Sequence, residues 1–487
     1  TDLANSLKSG KMPARARVES SEVIGPSLGQ SSINSGLNSF IISFIVVLLY
    51  MLFWYSRSGG FVANIALTVN MFFLIGVLAS LQAVLTLPGI AGIALTIGMA
   101  VDANVLIFER IKEELAAGKG VKLAIADGYK NAYSAIIDSN VTTILTGIIL
   151  YVFGTGPIKG FATTLVIGIL TSLFSGIFIT RLIYERLLAK NRNLTFSTRI
   201  TENIFKNVNI DFLGMRKYFY VISGIVIAVG IFALVTRGLS LGVDFTGGRN
   251  YVVEFKQDVN TLEIRDALKA ELTDAPMVIT FGEKNRVRIT TKYLIEDDRP
   301  DVDSIIKAKL YDGLVPEYIS ENAISKEDFI NTDQYVKSSI KVGPAIATDI
   351  TVQAIWAILI SLIMIFLYIL MRFRNWQFGL GAIVSLAHDV LVIIGIFALL
   401  HGFMPFSMEI DQSFIAAILT VVGYSINDTV IVYDRIREFR NLYRKRGDYE
   451  TINGAMNSTL SRTFSTSFST LIVIGALFIF GGEVIRG

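Results

Sequence analysis

The chain contains no cysteine and only two histidines among its 487 residues. These absences exclude disulfide bonds, thiolate zinc sites and cysteine nucleophiles, and no ordinary metal site or cofactor is expected. Charged residues are also scarce, at 17% against roughly 25% in soluble domains, while hydrophobic residues reach 52% and the mean hydropathy is +0.56. This composition excludes disordered, fibrous and ordinary soluble proteins.

Lys and Arg exceed Asp and Glu only slightly, 44 against 41, so the net charge gives no reason to expect a nucleic-acid partner. The sequence predicts instead a polytopic α-helical membrane protein, because many segments reach the length of about 20 apolar residues that crosses a bilayer. Ten such spans are predicted, near residues 37–55, 61–83, 88–109, 132–154, 160–184, 217–236, 347–371, 376–401, 412–434 and 458–481.

Basic residues are concentrated in alternate loops. The connections after the first, third, fifth, seventh and ninth predicted spans carry most of them, whereas the opposite short loops hold Lys159 and little else. The positive-inside rule therefore predicts that the basic loops are cytoplasmic. Residues 1–36 and 237–346 are then expected on the other side of the membrane.

Residues 237–346 are soluble in character. Their periodicity predicts strands at 250–256, 277–281, 287–291 and 334–342, with helices at 261–272 and 302–310. This βαββαβ order is typical of a ferredoxin-like α+β domain. The glycines of 242–248 predict a tight entry into its first strand, and no catalytic pattern is present.

The chain resembles itself at a shift of about 320 residues, which indicates an internal repeat. The matching segments are 24–26 with 342–344, 98–113 with 423–438, and 156–160 with 483–487. Both copies run in the same direction, so two parallel pseudo-repeats are expected, each with one span, an external domain and five further spans. About ten of twelve transmembrane helices would then be present; a natural ten-span protein is the alternative.

Four motifs resemble the SecD/SecF protein-export membrane proteins in their fused SecDF form, within the resistance-nodulation-division superfamily. They lie at 98–114 and 154–162 for the SecD half, and at 242–248 and 422–438 for the SecF half. The resemblance implies this organisation: 1–36, the C-terminal tail of a first periplasmic domain; 37–188, SecD-like transmembrane helices; 189–216, a cytoplasmic linker; 217–236, the first SecF-like helix; 237–346, a SecF-like periplasmic domain; 347–487, SecF-like helices without the last one.

Four charged residues are predicted at the middle of the membrane. At about 1.5 Å per residue, Asp102, Asp138, Asp428 and Arg462 lie roughly 10–15 Å from the cytoplasmic boundary of a ~30 Å core, where they can meet. A charge there costs about 2.5–3.5 kcal/mol, so a chain keeps one where it is paired, hydrated or used in function. We expect a proton pathway through Asp102, Asp428 and Arg462, as the resemblance also implies; a static ion pair and snorkelling of Arg462 are the alternatives.

Other polar residues of the spans are weaker candidates. Asp138, Asn104 and Asn427 could extend the proton pathway, and helix contacts are the alternative. For Asp389 beside His388 local pairing is favoured. At the cytoplasmic rim, helix-end charge pairing is the favoured interpretation of Glu109, Arg110, Asp434 and Arg435.

The resemblance implies a non-enzymatic accessory subunit of the bacterial Sec machinery. It would use the proton motive force to drive late translocation of unfolded polypeptides across the inner membrane. The implied partners are the SecYEG translocon, YajC and YidC, the secretory polypeptide, protons and membrane lipid. The alternatives are a proton-coupled exporter of small molecules or lipids, which normally has larger external domains, and a non-transporting receptor or scaffold.

Overall fold

A computed structural model describes residues 20–202, 204–205, 208–272, 275–297, 299, 301–318, 324–404 and 408–481. In chain order its elements are β1 (Ser20–Ile24), α1 (Pro26–Ser80), α2 (Leu87–Ala116), α3 (Val121–Phe153), α4 (Gly156–Leu173), a π-helical segment (Phe174–Ile179), α5 (Thr180–Ala189), α6 (Phe212–Arg237), α7 (Val243–Thr246), β2 (Gly248–Glu254), α8 (Thr261–Lys269), β3 (Met277–Phe281), β4 (Glu283–Thr291), α9 (Val302–Tyr318), α10 (Lys326–Asn331), β5 (Val336–Val342), α11 (Pro344–Phe373), α12 (Trp376–Leu400), α13 (Gln412–Leu442) and α14 (Asp448–Phe480).

Nine helices within these described residues are long and apolar enough to cross a membrane. The predicted polytopic fold is therefore confirmed. The ten predicted spans correspond to nine helices because α1 contains two of them, separated by a kink at Tyr55 and Ser56. Ser56 adopts a φ of 70°, and its hydroxyl donates a 2.7 Å hydrogen bond to the Thr195 carbonyl. Arg374, between α11 and α12, also has a positive φ, of 54°.

The structure divides into two compact units, a sheet unit around residues 241–352 and a helical unit containing most of the long helices. In the helical unit α2 is the most enclosed helix, with 83% of its most apolar stretch buried against 11% for α6. Polar groups on α2 are thus shielded by protein, whereas α6 presents the apolar surface expected of a lipid-facing helix.

The sheet unit contains an antiparallel sheet in the order β1-β5-β2-β4-β3. Its last four strands have the order of a ferredoxin-like fold, as the sequence predicts. One core joins Tyr251 and Val253 of β2 to Leu268 of α8 and Ile306 of α9. The predicted glycine-dependent entry is present, since Gly247 and Gly248 have φ values of 66° and 151°, which only glycine adopts readily.

Several boundaries in the sheet unit differ from the sequence prediction. The helix predicted at 302–310 continues to residue 318, and the short helices α7 and α10 were not predicted. The largest difference is β1, which lies in the segment predicted only as a polar tail and pairs with β5. Strand pairing between residues more than 300 positions apart leaves no local signal in a five-residue segment.

β1 and β5 relate the two sequence repeats directly. Ile24 and Val342 occupy equivalent repeat positions, and the register pairs Glu22 with Ile340, which have the same sequence offset. Each strand is therefore paired with its own repeat counterpart around a local two-fold axis. The predicted match of 156–160 with 483–487 cannot be followed in the same way, because 483–487 and the predicted tail residues 1–19 lie outside the described part of the chain.

Candidate functional site

Asp102 lies in the middle of α2 with 8% of its surface exposed. One turn earlier, Gly98 lets α2 approach α14 closely: a Cβ at Gly98 would be 3.3 Å from the Thr470 Cα. Asp102 is therefore held at a tight contact between helices from different repeats. Its Oδ1 is buried and has no hydrogen-bond partner among the described residues.

Arg462 and Asp428 bring the other two predicted charges to the same place. Arg462 of α14 is 6% exposed, and its Nη2 lies 3.9 Å from Asp428 Oδ1 on α13. That distance allows an ion pair but is too long for a hydrogen bond. Asp428 and Arg462 also lie near enough to Asp102 to interact with its carboxyl group electrostatically. We call Asp102, Asp428 and Arg462 the charged layer.

The charged layer is loosely bonded for a buried site. All three guanidinium nitrogens of Arg462 are buried without a hydrogen-bond partner in the described part of the chain. Leaving such groups unpaired costs about 1–3 kcal/mol each, so a site that serves stability alone would pair them. With two carboxylates and one guanidinium, the layer can hold an extra proton on either carboxylate while Arg462 neutralises the other.

Asp138, which the sequence places at the same depth as the charged layer, does not join it and lies in a different, well-bonded cluster. Arg372 Nε donates a 2.6 Å hydrogen bond to Asp138 Oδ2, and the Tyr368 hydroxyl donates one of 2.8 Å to Oδ1. Arg372 and Tyr368 belong to α11, whereas Asp138 belongs to α3, so this pair joins the two repeats. These are the contacts of a structural ion pair.

Asn104 and Asn427 are both buried, and the side-chain Oδ1 of each has no hydrogen-bond partner among the described residues. Asn104 is two residues beyond Asp102, which turns it about 200° around α2. There its Oδ1 lies next to Gly176 of the π-helical segment. Asn427 follows Gly423 by one turn, and Gly423 packs against Thr143 and Thr146 of α3. Gly423 is the repeat counterpart of Gly98, so the same close approach occurs in both halves.

A chain of hydroxyl groups beside the layer was missed by the sequence analysis. The Tyr55 hydroxyl lies 3.2 Å from Glu109 Oε1 and 3.0 Å from Ser465 Oγ, and the Tyr50 hydroxyl lies 2.9 Å from the same Ser465 Oγ. Ser465 is three residues beyond Arg462 on α14 and shares its face. The Ser- and Thr-rich stretch 458–470 was the available signal, but only the structure brings the tyrosines of α1 to it.

Tyr424 and Asp389 add further polar groups on the α13 side. Tyr424 donates a 3.1 Å hydrogen bond to the Thr466 carbonyl and accepts one of 3.0 Å from Thr470. Ser425 donates a 2.6 Å hydrogen bond to Asp389 Oδ2, while His388 Nδ1 lies 3.0 Å from Asp389 Oδ1. No cluster of three or more His, Asp or Glu suited to a metal ion occurs in the described ranges.

Comparisons with known proteins identify the family. The family model described as protein export membrane protein SecD/SecF, C-terminal, matches residues 4–190 and 323–487. The chain belongs to the SecD/SecF family. A second SecD/SecF family model, for the GG motif, matches residues 232–259, which include the Gly247 and Gly248 turn.

The SecD/SecF relatives support the fused SecDF form. The SecDF subunit of Bacillus subtilis is 32% identical over 99% of this chain and 64% of its own length. The SecDF subunit of Thermus thermophilus is 34% identical over 100% of the chain and 62% of its own length. The crystal structure of SecDF from Thermus thermophilus matches with a TM-score of 0.85, covering 100% of this chain and 63% of that one. The chain thus spans less than two thirds of these relatives, and it is a multi-pass membrane protein.

Proposed function

We propose that this chain is part of an accessory subunit of the bacterial Sec protein-export machinery. The subunit uses the proton motive force to drive late translocation of unfolded polypeptides across the inner membrane. The charged layer carries the proposal, because it places two carboxylates beside an arginine that makes no hydrogen bond to any described residue, in a chain whose relatives are named protein translocase subunits.

Asp102 and Asp428 are the proposed proton carriers, and Arg462 is their counter-charge. With both carboxylates ionised the layer has one excess negative charge, and one bound proton makes it neutral. Protonation therefore weakens the attraction that holds α14 against α2 and α13. The membrane potential contributes about 2.3 kcal/mol per 100 mV for each charge moved across it, enough to bias such a change. Asp138, Asn104 and Asn427 are not among the proposed proton carriers, because Asp138 is bound by Arg372 and Tyr368 and an asparagine amide has no acidic proton to exchange.

We place the sheet unit in the periplasm and the basic loops in the cytoplasm, following the positive-inside rule. The proposed partners are SecYEG, YajC, YidC and the unfolded polypeptide. Support comes from the Thermus thermophilus relative, which is described as a translocon-associated membrane protein. A second solved SecDF structure, in a super-membrane-facing form, matches with a TM-score of 0.71 at the same 34% identity, which supports more than one arrangement of this chain's fold.

The test replaces Asp102 and Asp428 by Asn in the complete subunit, in inverted membrane vesicles that contain the translocon. Asn keeps the shape of the side chain but cannot carry a proton. We expect proton flux and late translocation of a secretory polypeptide to fall together, by about tenfold or more. Glu185→Gln is the control, because Glu185 is exposed on α5 and pairs only with Arg181 among the contacts described.

Full flux and full translocation in Asp102→Asn and Asp428→Asn would contradict the proposal. Loss of flux with unchanged polypeptide translocation, and with loss of small-molecule efflux, would favour an exporter instead.

A further inference from the structure

A small cavity adjoins the charged layer. It has a volume of about 30 Å³, enough for water, and lies between α2, α13 and α14. Arg462 lines one end of it, and the next turns of α14 contribute Ser458 and Thr459. On α2 the lining residues 106, 109, 110 and 113 continue the face that carries Asp102, and on α13 residues 431, 434 and 435 continue outward from Asp428. The cavity therefore extends from the layer towards the basic helix ends that we place in the cytoplasm.

Glu109 is the carboxylate that connects this cavity to the hydroxyl chain. It is seven residues beyond Asp102 and on the same face of α2, about 10 Å further along. Its Oε1 lies 3.2 Å from the Tyr55 hydroxyl, which is 3.0 Å from Ser465. Lys112 also binds Glu109 Oε1, at 2.8 Å. Glu109 thus lines the cavity and also contacts a hydroxyl chain that begins one turn from Arg462.

The repeat counterpart of Glu109 is bonded differently. Asp434 occupies that position on α13 and is bound by two arginines, Arg437 at 2.6 Å and Arg372 at 3.5 Å. Phe373 stands where the first repeat has Tyr55, and its ring packs against other aromatic rings. A proton route along hydroxyl groups is therefore built on the Glu109 side and not at Asp434.

Four charged side chains enclose the outer end of the cavity. Between helices, Arg110 binds Glu438 at 2.8 Å and Arg435 binds Glu113 at 2.7 Å. Within each helix, Arg110 binds Glu113 and Arg435 binds Glu438, both at 3.0 Å. We call these four residues the ion-pair ring. Arg110 and Arg435 are repeat counterparts, as are Glu113 and Glu438, so the ring is two-fold symmetric and electrically neutral.

The ion-pair ring is suited to open and close. Its glutamates are partly exposed, at 40% and 37% of their side chains, whereas its arginines are largely buried. Water can therefore hydrate both glutamates when α2 and α13 separate at this end, which lowers the cost of breaking the pairs between the helices. Each arginine also keeps an intrahelical partner when the contacts between helices break.

We propose that Glu109 passes protons between the cytoplasm and the charged layer through this cavity, and that the ion-pair ring closes the cavity's outer end. This inference rests on the proposed proton-driven function. The Glu109 carboxylate accepts a proton from cavity water and returns it to water, so no other reactant is needed.

The first experiment measures proton flux in the complete subunit reconstituted in vesicles. Glu109→Gln is expected to lower flux at least about tenfold, Glu109→Asp to retain part of it, and Glu185→Gln to leave it unchanged. Asp102→Asn is measured in the same preparation. If Asp102→Asn keeps full flux, the proposed function fails; if Asp102→Asn loses flux but Glu109→Gln keeps it, only the present inference is overturned.

The second experiment tests the ring without relying on flux. Thr459→Cys adds a thiol at the cavity to the complete subunit, and these 487 residues contain no other. A membrane-impermeant thiol reagent added on the cytoplasmic side should modify it about tenfold faster when Glu113 and Glu438 are both replaced by Gln, equivalent to about 1.4 kcal/mol. Lys190→Cys places a thiol at an exposed position and is the control. It should react at the same rate whether Glu113 and Glu438 are present or both replaced by Gln. Equal rates for Thr459→Cys would overturn the role of the ring.

Discussion

Arg372 and Arg462, which each face an aspartate in the helical unit, differ in how completely they are bonded. Arg372 lies 2.6 Å from Asp138, whose other oxygen accepts from Tyr368. Arg462 lies 3.9 Å from Asp428, and its guanidinium nitrogens have no hydrogen bond to any described residue. A short, fully bonded pair loses most when one partner is removed, whereas a loose pair has little bonding to lose.

Replacing each arginine by Gln should therefore separate stability from activity. Arg372→Gln leaves the Asp138 carboxylate without its cation, and we expect the free energy of unfolding to fall by about 2 kcal/mol, seen as a lower Tm in detergent. Arg462→Gln removes a buried guanidinium that has one long ion pair and no hydrogen bond among the described residues, and we expect the Tm to be unchanged or higher while proton flux is lost.

Paired measurements of Tm and flux on both variants check this prediction. Arg462→Lys is the control for charge, since it keeps the cation but not the planar guanidinium, and should retain part of the flux. A large fall in Tm for Arg462→Gln would mean that Arg462 is a structural residue.

Among the helices, two glycines set how closely the repeats approach. Gly98 brings α2 to α14, and Gly423 brings α13 to α3. A Cβ at Gly423 would lie 2.5 Å from Thr146 Oγ1 and 3.5 Å from the Thr143 Cα, so a side chain there must displace the Thr146 hydroxyl, and a branched one must press on α3. The charged layer depends on these contacts, because Asp428 follows Gly423 by little more than one turn.

Gly423→Val should destabilise the protein by about 1–3 kcal/mol and reduce proton flux, because the overlap separates two helices of the layer. Gly475→Val is the matched control: a Cβ at Gly475 meets nothing within 4 Å, so the same substitution should change stability by less than about 0.5 kcal/mol. Tm and flux of both variants are the measurements. Similar losses in the two would show that the loss of glycine, and not the helix contact, is responsible.

The many polar residues of α14 are accommodated by hydrogen bonds within the helix itself. Its hydroxyls bond largely to its own backbone: Thr459 donates to the Met456 carbonyl at 2.8 Å, Thr466 to Arg462 at 3.2 Å and Ser469 to Thr466 at 2.8 Å. Side chains that are satisfied within the helix can enter an apolar environment at low cost. This is why a segment with so many Ser and Thr residues still forms a candidate span.

Over the whole molecule, elements of each repeat pack against elements of the other, in addition to resembling them in sequence. α2 packs on α14 and α3 on α13, and the sheet is completed by pairing β1 with β5. Each of these contacts joins one repeat to the other. The internal repeat is thus present in the structure as well as in the sequence.

The pairing of β1 with β5 can be tested by disulfide formation. Glu22 and Ile340 are directly opposite, and opposed Cα atoms in antiparallel strands lie about 4.5–5.5 Å apart, within the range that a disulfide spans. Oxidation of the Glu22→Cys, Ile340→Cys variant should therefore give an internal disulfide, detected by mass spectrometry of the digested protein. Glu22→Cys with Ser338→Cys is displaced by two residues and should form little. Equal yields from both variants would contradict the register.

The sequence alone determined the membrane class, the ten spans and the βαββαβ order of the sheet unit, and it named Asp102, Asp428 and Arg462 as candidates together with Asp138. These features depend on local periodicity, composition and helical rise, which each segment carries by itself. Only the tertiary structure decided that Asp138 binds Arg372, that β1 completes the sheet, and that Glu109 with the ion-pair ring adjoins Arg462. Each of those depends on packing between residues tens to hundreds of positions apart, and the free energy of such contacts is not encoded in any one segment.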